Sequence, residues 1–315
     1  MRIILMGTGP FAVPMARAIY NSSHEVLLLV TRPRRSVHGK TQAEANPMRE
    51  LAISQGTTIR DPESINNEDA RTELTRHEPD LFVVCDYGQI LKPETLAVAR
   101  LGAINLHGSL LPKYRGAAPI NWAVFNGEAE TGVTVIHLTP HIDAGPVVAQ
   151  AKLPIGPNDT AITLEPILAE LGAPLVLDAI EAIASGTATP ISQDPALATK
   201  APRLKKDDGA VDWHRSAEQI RNQVRAFVPW PKTFTFWHRP NGEPLRVILE
   251  SVAAVPDLSG DAGTALEATG GQLLIGTGLG ALRVDAIQPA GKRVLTVAEF
   301  LRGYPLKPSE QFGPA

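Results

Sequence analysis

Over the first 185 residues, apolar positions come as short continuous runs separated by stretches of helical spacing. Residues 3–6 form the first run, followed by a glycine-containing turn and a helical stretch reaching about residue 22; residues 25–31, 81–84, 102–106 and 133–138 form four more. Runs that are apolar on both faces suit strands covered by helices on both sides. The pattern therefore predicts an α/β domain built on a doubly wound, mostly parallel, Rossmann-like sheet. Apolar residues at helical spacing over 163–183 predict a long closing helix.

Beyond residue 185 the pattern changes. Residues 186–208 carry prolines, polar residues and no apolar period, which reads as a linker. A short helix follows over 216–226, and then brief strand-like runs at 234–237, 245–249, 263–268, 272–275 and 282–287, punctuated by Gly or Pro. Strands of this length and spacing predict a small OB-like β-barrel. The expected organisation is the α/β domain over 1–185, a linker over 186–208 and the barrel over 209–315.

Length and composition narrow the classes. At 315 residues the chain supports about two domains. Cys85 is the single cysteine, which excludes a disulfide framework and a multi-cysteine metal site. Net charge is −3, so no basic footprint covers the whole chain; 14 basic residues face 12 acidic from Arg203 onward, against 16 and 21 before it, which points an anionic partner at the C-terminal half. No apolar run approaches the ~18 residues of a membrane helix, and the N-terminal run lacks the features of a signal peptide; a cytoplasmic protein is expected, with no membrane partner.

Three segments carry candidate chemistry. Gly7-Thr8-Gly9-Pro10-Phe11-Ala12 matches G-x-G-x-x-G/A between a strand and a helix. Arg32 stands at the end of the second strand, where an acidic residue binds NAD, so an NADP enzyme and a purely structural turn both remain open. Asn105 and His107 sit two apart at the C-terminal end of a strand, on one face. An amide donor beside an imidazole suits a developing oxyanion and a proton transfer. Asp143, in His141-Ile142-Asp143-Ala144-Gly145, could hold the imidazole, or simply form a turn. His137 and His141 lie close in sequence, but their spacing fits no standard metal set.

Basic residues mark two further surfaces. Arg32, Arg34, Arg35, Lys40 and Arg49 face a single acid, Glu44, in a segment without a core pattern, which reads as a mobile basic loop. Arg221 and Arg225, four apart on one helix face, join Lys205, Lys206, Lys292 and Arg293 as candidate phosphate contacts. Phe227 and Trp230, set among prolines, read as core between the halves rather than as stacking platforms.

Asn105-x-His107, Ser109-Leu110-Leu111-Pro112, Tyr114-Arg115-Gly116-Ala117-Ala118-Pro119 and Asp143-x-Gly145 resemble the 10-formyltetrahydrofolate-dependent formyltransferases. Pro202-Arg203-Leu204-Lys205-Lys206, Arg225-Ala226-Phe227-Val228-Pro229-Trp230-Pro231 and Gln288-Pro289-Ala290-Gly291-Lys292-Arg293 are similar to the members that act on charged initiator tRNA. The resemblance implies an α/β catalytic domain and an OB-like domain. It implies Asn105, His107 and Asp143 as catalytic residues. It puts 10-formyltetrahydrofolate, the co-substrate, near Ser109, Leu110, Leu111, Pro112, Tyr87, Gly88 and Gln89, with no metal and no nicotinamide. It makes initiator methionyl-tRNA the acceptor, held by the basic residues named above, and the enzyme a monomer. His137, Thr139 and His141 depart from the Gln, Asp and Gly usual in the family, and Cys85-Asp86 replaces a more apolar pair.

Overall fold

The computed structural model describes residues 1–33, 36–37, 40–43, 46–240 and 242–314; Arg34, Arg35 and the side chain of Lys40 lie outside the described residues. The chain divides into two compact units. One holds residues 1–119, 130–154 and 163–202, the other residues 120–129, 155–162 and 203–315.

The first unit contains the strands β1 (Arg2–Gly7), β2 (Glu25–Val30), β3 (Ser36–Val37), β4 (Lys40–Ala43), β5 (Ile59–Arg60), β6 (Leu81–Cys85), β7 (Ala103–His107), β8 (Arg115–Gly116), β9 (Glu130–His137), β10 (Val147–Pro154) and β11 (Lys200–Ala201). Its helices are α1 (Val13–Tyr20), α2 (Pro47–Ser54), α3 (Glu68–Arg76) and α4 (Pro93–Leu96); α5 (Pro119–Phe125) leads into the second unit, and α6 (Ala161–Ala184) returns from it. The main sheet runs β10-β9-β7-β6-β1-β2-β5. From β5 to β7 its pairings are parallel, and β9 and β10 add antiparallel pairings at one edge. Ile3, Ile4, Leu5 and Met6 are all fully buried, which is why β1 reads as a continuous apolar run.

From β1 the chain moves outward to β2 and β5, then returns to β6 on the other side of β1. The switch point therefore lies between β1 and β6, and its crevice at the strands' C-terminal ends is the place where open α/β sheets bind ligands. β10 was not expected from sequence. Half-buried and exposed positions alternate along its second half, so it lacks the unbroken apolar run that marks the other strands. Part of the stretch read as a linker is stitched onto this unit: Val147 and Ile191 exchange backbone hydrogen bonds at 2.8 Å, and β11 pairs with β8.

The second unit contains α7 (Ala217–Ala226), β12 (Thr233–His238), β13 (Leu245–Val255), β14 (Ala265–Thr269), β15 (Gln272–Gly276), β16 (Ala281–Pro289), β17 (Leu295–Thr296), α8 (Val297–Gly303) and β18 (Gln311–Gly313). The sheet order is β14-β15-β16-β13-β12-β18, with β17 beside β16. An antiparallel bridge between Thr264 and Gln311, with Ala265 N donating to Glu310 O at 2.9 Å, joins the two ends and curls the sheet into a small barrel. Trp213, Trp237, Val247, Ile275, Leu282 and Phe300 fill its interior. Reciprocal side-chain caps start both helices: Ser216 with Gln219 on α7, and Thr296 with Glu299 on α8.

The α8 cap has a pH signature. The Arg293 guanidinium, 2.8 Å away, and the N–H and hydroxyl of Thr296 hold the Glu299 carboxyl down at about 2, from an ordinary 4.5. The folded carboxylate takes a proton less readily than the unfolded one. Its stabilising contribution is therefore complete above pH 4.5 and is lost as pH falls towards 2. Glu299→Gln is expected to lower the urea midpoint at neutral pH and to flatten its decline between pH 4.5 and 2; an acid response equal to that of the parent chain would contradict the cap.

Candidate active site

β7 ends at the crevice side of the sheet and carries Asn105 and His107 on the same face. His107 is only 6% exposed. Its Nε2 lies 2.9 Å from the Tyr114 carbonyl oxygen. A carbonyl only accepts, so this nitrogen carries the proton. Nδ1 faces the Asp143 carboxylate, 3.7 Å from Oδ2, an ion-pair separation longer than a hydrogen bond. The same oxygen accepts the Gly116 N–H at 2.9 Å.

The loop carrying Asp143 is fixed from several sides. Asp143 itself adopts φ +48°, a left-handed conformation that Asp tolerates better than most residues. Gln193 Nε2 donates to the carbonyls of Asp143 and Gly145 at 2.8 Å each, while its Oε1 accepts from Arg115 at 2.7 and 3.0 Å. At Gly145 a Cβ would fall 1.7 Å from the His137 carbonyl oxygen, so only glycine lets the chain pass. Asn105 is half-buried, and its amide makes no hydrogen bond among the described residues.

The segment after β7 is braced from within. Thr134 donates to Ser109 O at 2.6 Å and accepts from Leu111 N at 3.1 Å; Gln150 donates to Leu111 O at 3.0 Å and to Thr134 at 2.9 Å. The Ser109 hydroxyl donates to Lys113 O at 2.7 Å. Thr134, Gln150 and Gln193 were not singled out from sequence. Thr134 alone left a signal there, a polar residue inside an apolar strand. Of the residues expected on the folate, Ser109, Leu111 and Tyr87 are buried, Leu110, Pro112 and Gln89 are half-buried, and Gly88 is exposed. Burial pushes the Tyr87 phenol upward. Gln89 ties two loops together, accepting from Ile65 N at 2.9 Å and donating to Pro62 O at 3.2 Å.

The glycine turn faces a side chain of the protein. A Cβ on Gly9 would fall 1.6 Å from Asp86 Oδ2, and the Gly9 N–H donates to that carboxylate. Desolvation raises the Asp86 carboxyl above the usual range against the pull of Arg32 and the Gly9 N–H; desolvation and then the charge of Asp86 raise Glu165 as well. A pyrophosphate on this turn would meet a carboxylate, which disfavours the dinucleotide reading. Burial pushes the half-buried His137 imidazole down, and His141 is exposed. Among the described residues no group of three His, Cys, Asp or Glu is placed to hold a metal ion.

Two of the expected phosphate contacts are internal staples. Arg225 donates to Gly156 O at 3.3 Å, Asp159 O at 2.7 Å and Asn222 at 2.5 Å, while Arg221 pairs with Glu218 at 2.7 Å and donates to Pro157 O. Their guanidinium groups are spent on pinning the 156–159 turn to α7, within one unit. Arg32 donates through Nε to Tyr87 O at 2.9 Å and is exposed, and Arg293 pairs with Glu299. Lys205, Lys206 and Lys292 are exposed and make no ion pair among the described residues. Phe227 is fully buried, but Trp230 is 52% exposed and is not a core residue.

A doubly wound sheet followed by a small antiparallel barrel is the fold of the formyl transferases, and comparison with known proteins bears this out. The chain matches the "Formyl transferase" family over residues 1–180 and "Formyl transferase, C-terminal domain" over 203–305. It is 42% identical to the methionyl-tRNA formyltransferase of Rhodopirellula baltica, covering 99% of this chain and 96% of that protein, and 38% identical to that of Moorella thermoacetica, covering 99% of each. The N-formyltransferase of Helicobacter canadensis, solved with folinic acid and dTDP-3-aminofucose, shares the fold at TM-score 0.66 and 18% identity, over 90% of this chain and 98% of that one. The chain belongs to the formyl transferase family and, within it, to the methionyl-tRNA formyltransferases.

The contact between Gly9 and Asp86 predicts a coupling. Gly9→Ala alone should be destabilising, because the added methyl displaces the carboxylate from the Gly9 N–H. In an Asp86→Ala background the same change should be nearly neutral. Denaturant titrations of the four proteins measure this, and equal costs in both backgrounds would contradict it.

Proposed function

We propose that this chain transfers the formyl group of 10-formyltetrahydrofolate to the free amine of methionyl-tRNA, yielding N-formylmethionyl-tRNA. The observation that carries the reading is the unpartnered Asn105 amide beside the His107–Asp143 pair, at the C-terminal ends of the sheet strands. The acceptor follows from the relatives, which match over nearly the whole chain.

The folate co-substrate supplies the formyl carbon; the chain's own residues handle the charge and the proton. As the amine attacks, negative charge builds on the formyl oxygen, and the Asn105 amide donates to it. Such a donor, fixed in advance on a strand end, is worth about 3–4 kcal/mol in the transition state. His107 keeps Nε2 on Tyr114 O, so its proton chemistry runs through the Nδ1 edge. Asp143 stands beside that edge, its carboxylate 3.7 Å from Nδ1, and orients the ring. The rigid 109–112 segment and the exposed backbone at Gly88 offer the surface for the folate.

For the tRNA, the exposed cations Arg32, Lys205, Lys206 and Lys292 would hold phosphates without reading sequence. Arg34, Arg35 and Lys40 join them in this reading, on the sequence alone. Among the described residues no helix is long and apolar enough to cross a membrane, and we take the enzyme to act in the cytoplasm as a monomer.

The test is incubation of the purified chain with 10-formyltetrahydrofolate and either charged initiator tRNA or a nucleotide-linked amino sugar. Formyl-methionine on the tRNA supports the reading; formylation of the sugar alone overturns it. Asn105→Ala and His107→Ala should each lower kcat by a hundredfold or more while KM for the folate stays within a few-fold, since both act on the transition state. A kcat within a few-fold of the parent would remove that residue from the mechanism.

A further inference from the structure

Among the described residues, Trp230 is the aromatic side chain found among the exposed large hydrophobics. Tryptophan is strongly buried on average. Trp213 and Trp237, in the same unit, are 4% and 2% exposed, whereas Trp230 is 52% exposed. The turn over residues 227–232 that carries it is firmly held. Lys232 N donates to Phe227 O at 2.8 Å and closes the turn. Beneath, Phe227 stacks on Phe125 at 5.1 Å and 17° and meets Trp122 edge-on at 5.8 Å. Pro229 and Pro231 flank the tryptophan and restrict the backbone on both sides. The indole is thus presented on a rigid mount rather than on a loose loop.

A second turn adjoins the first. Gly209 lies against the Lys232 carbonyl, where a Cβ would fall 2.1 Å from the oxygen, and Gln223 donates to Asp208 O and Ala210 O at 2.9 Å each, fixing that turn to α7. It carries Lys205 and Lys206, both exposed and without an ion pair among the described residues. Lys232 itself pairs with Glu250 at 2.5 Å, whereas the Lys205 and Lys206 ammonium groups, followed in the turn by Asp207 and Asp208, make no ion pair among the described residues.

We propose that Trp230 is a stacking platform for an unpaired nucleobase of the RNA acceptor, with Lys205 and Lys206 on the adjoining phosphates. A flat, pre-positioned π face on one turn, with two exposed ammonium groups on the turn adjoining it, suits a base and its backbone; every base has a π face to stack, so the contact tolerates any base. This rests on the reading of an aminoacyl-tRNA acceptor.

The experiment titrates the full chain with uncharged tRNA while following tryptophan emission, and then measures steady-state formylation. In the parent chain, tRNA should quench a fraction of the emission that disappears in Trp230→Phe. Trp230→Ala should raise KM for charged tRNA about tenfold, within the range of a lost base–aromatic stack, with kcat and KM for the folate little changed. Trp230→Phe, which retains a ring, should recover most of that loss. Thermal melting of both variants verifies that they fold, and the phenylalanine variant carries the test if the alanine variant does not. A parent KM for tRNA in Trp230→Ala, an unchanged quench in Trp230→Phe, or an equal rise in both KM values would overturn the proposal. If the parent chain does not formylate tRNA at all, the acceptor reading itself fails, a separate result.

Discussion

One carboxylate holds the candidate active site together. Asp143 Oδ2 accepts the N–H of Gly116 and stands 3.7 Å from Nδ1 of His107, so it links a strand end, the β8 segment and its own loop. The ring's other nitrogen is anchored on Tyr114 O, immediately before that segment. Because the His107 ring is almost fully buried and its Nε2 is anchored, the ring keeps one orientation, with Nδ1 turned to the carboxylate. Gln193 extends the constraint by tying the Asp143 and Gly145 backbones to Arg115. With the imidazole and carboxylate locked, Asn105 is the polar group of the set left with an unengaged amide, which is the condition for a pre-organised donor.

The scaffold serves this arrangement through its topology. Parallel strands end together at the switch point between β1 and β6, and one strand further along β7 ends in Asn105 and His107. The glycine turn after β1 resembles a dinucleotide fingerprint, yet its close approach is made to Asp86, a side chain of the same sheet edge. The same backbone device that lets a phosphate approach in other folds here admits an internal carboxylate. Fold and motif alone would have pointed to a nicotinamide enzyme; the carboxylate beside the turn disfavours that reading.

Much of the fold was legible because it follows period and burial. β1, β2, β6, β7 and β9 appear as apolar runs since both faces of the sheet are covered, and α6 and α7 appear through helical spacing and, for α7, the Ser216 cap. β10 escaped because an edge strand alternates. β17, α8 and β18 escaped because they are short and acquire their identity from closing the barrel. At the site, Asn105 and His107 could be paired by their spacing of two. Asp143 needed a contact across 36 positions of chain, and Gln193 one across 50, which no local pattern encodes. Arg221 and Arg225 show the converse: spacing put both on one helix face, but carbonyls of the 156–159 turn claim them. Trp230 was misread for a related reason. Flanking prolines suggest a packed corner, yet the packing is supplied by Phe227 while the indole points out.

The central claim is that His107 is hydrogen-bonded to Tyr114 O through Nε2, with Nδ1 turned to the Asp143 carboxylate. Nitrogen NMR of the chain labelled with ¹⁵N-histidine reads this directly, since the two ring nitrogens shift differently according to which carries the proton. The account predicts that the neutral ring keeps its proton on Nε2, and that in Asp143→Asn the Nδ1 resonance moves while Nε2 stays protonated. A neutral His107 ring protonated at Nδ1, or resonances indifferent to Asp143→Asn, would contradict it.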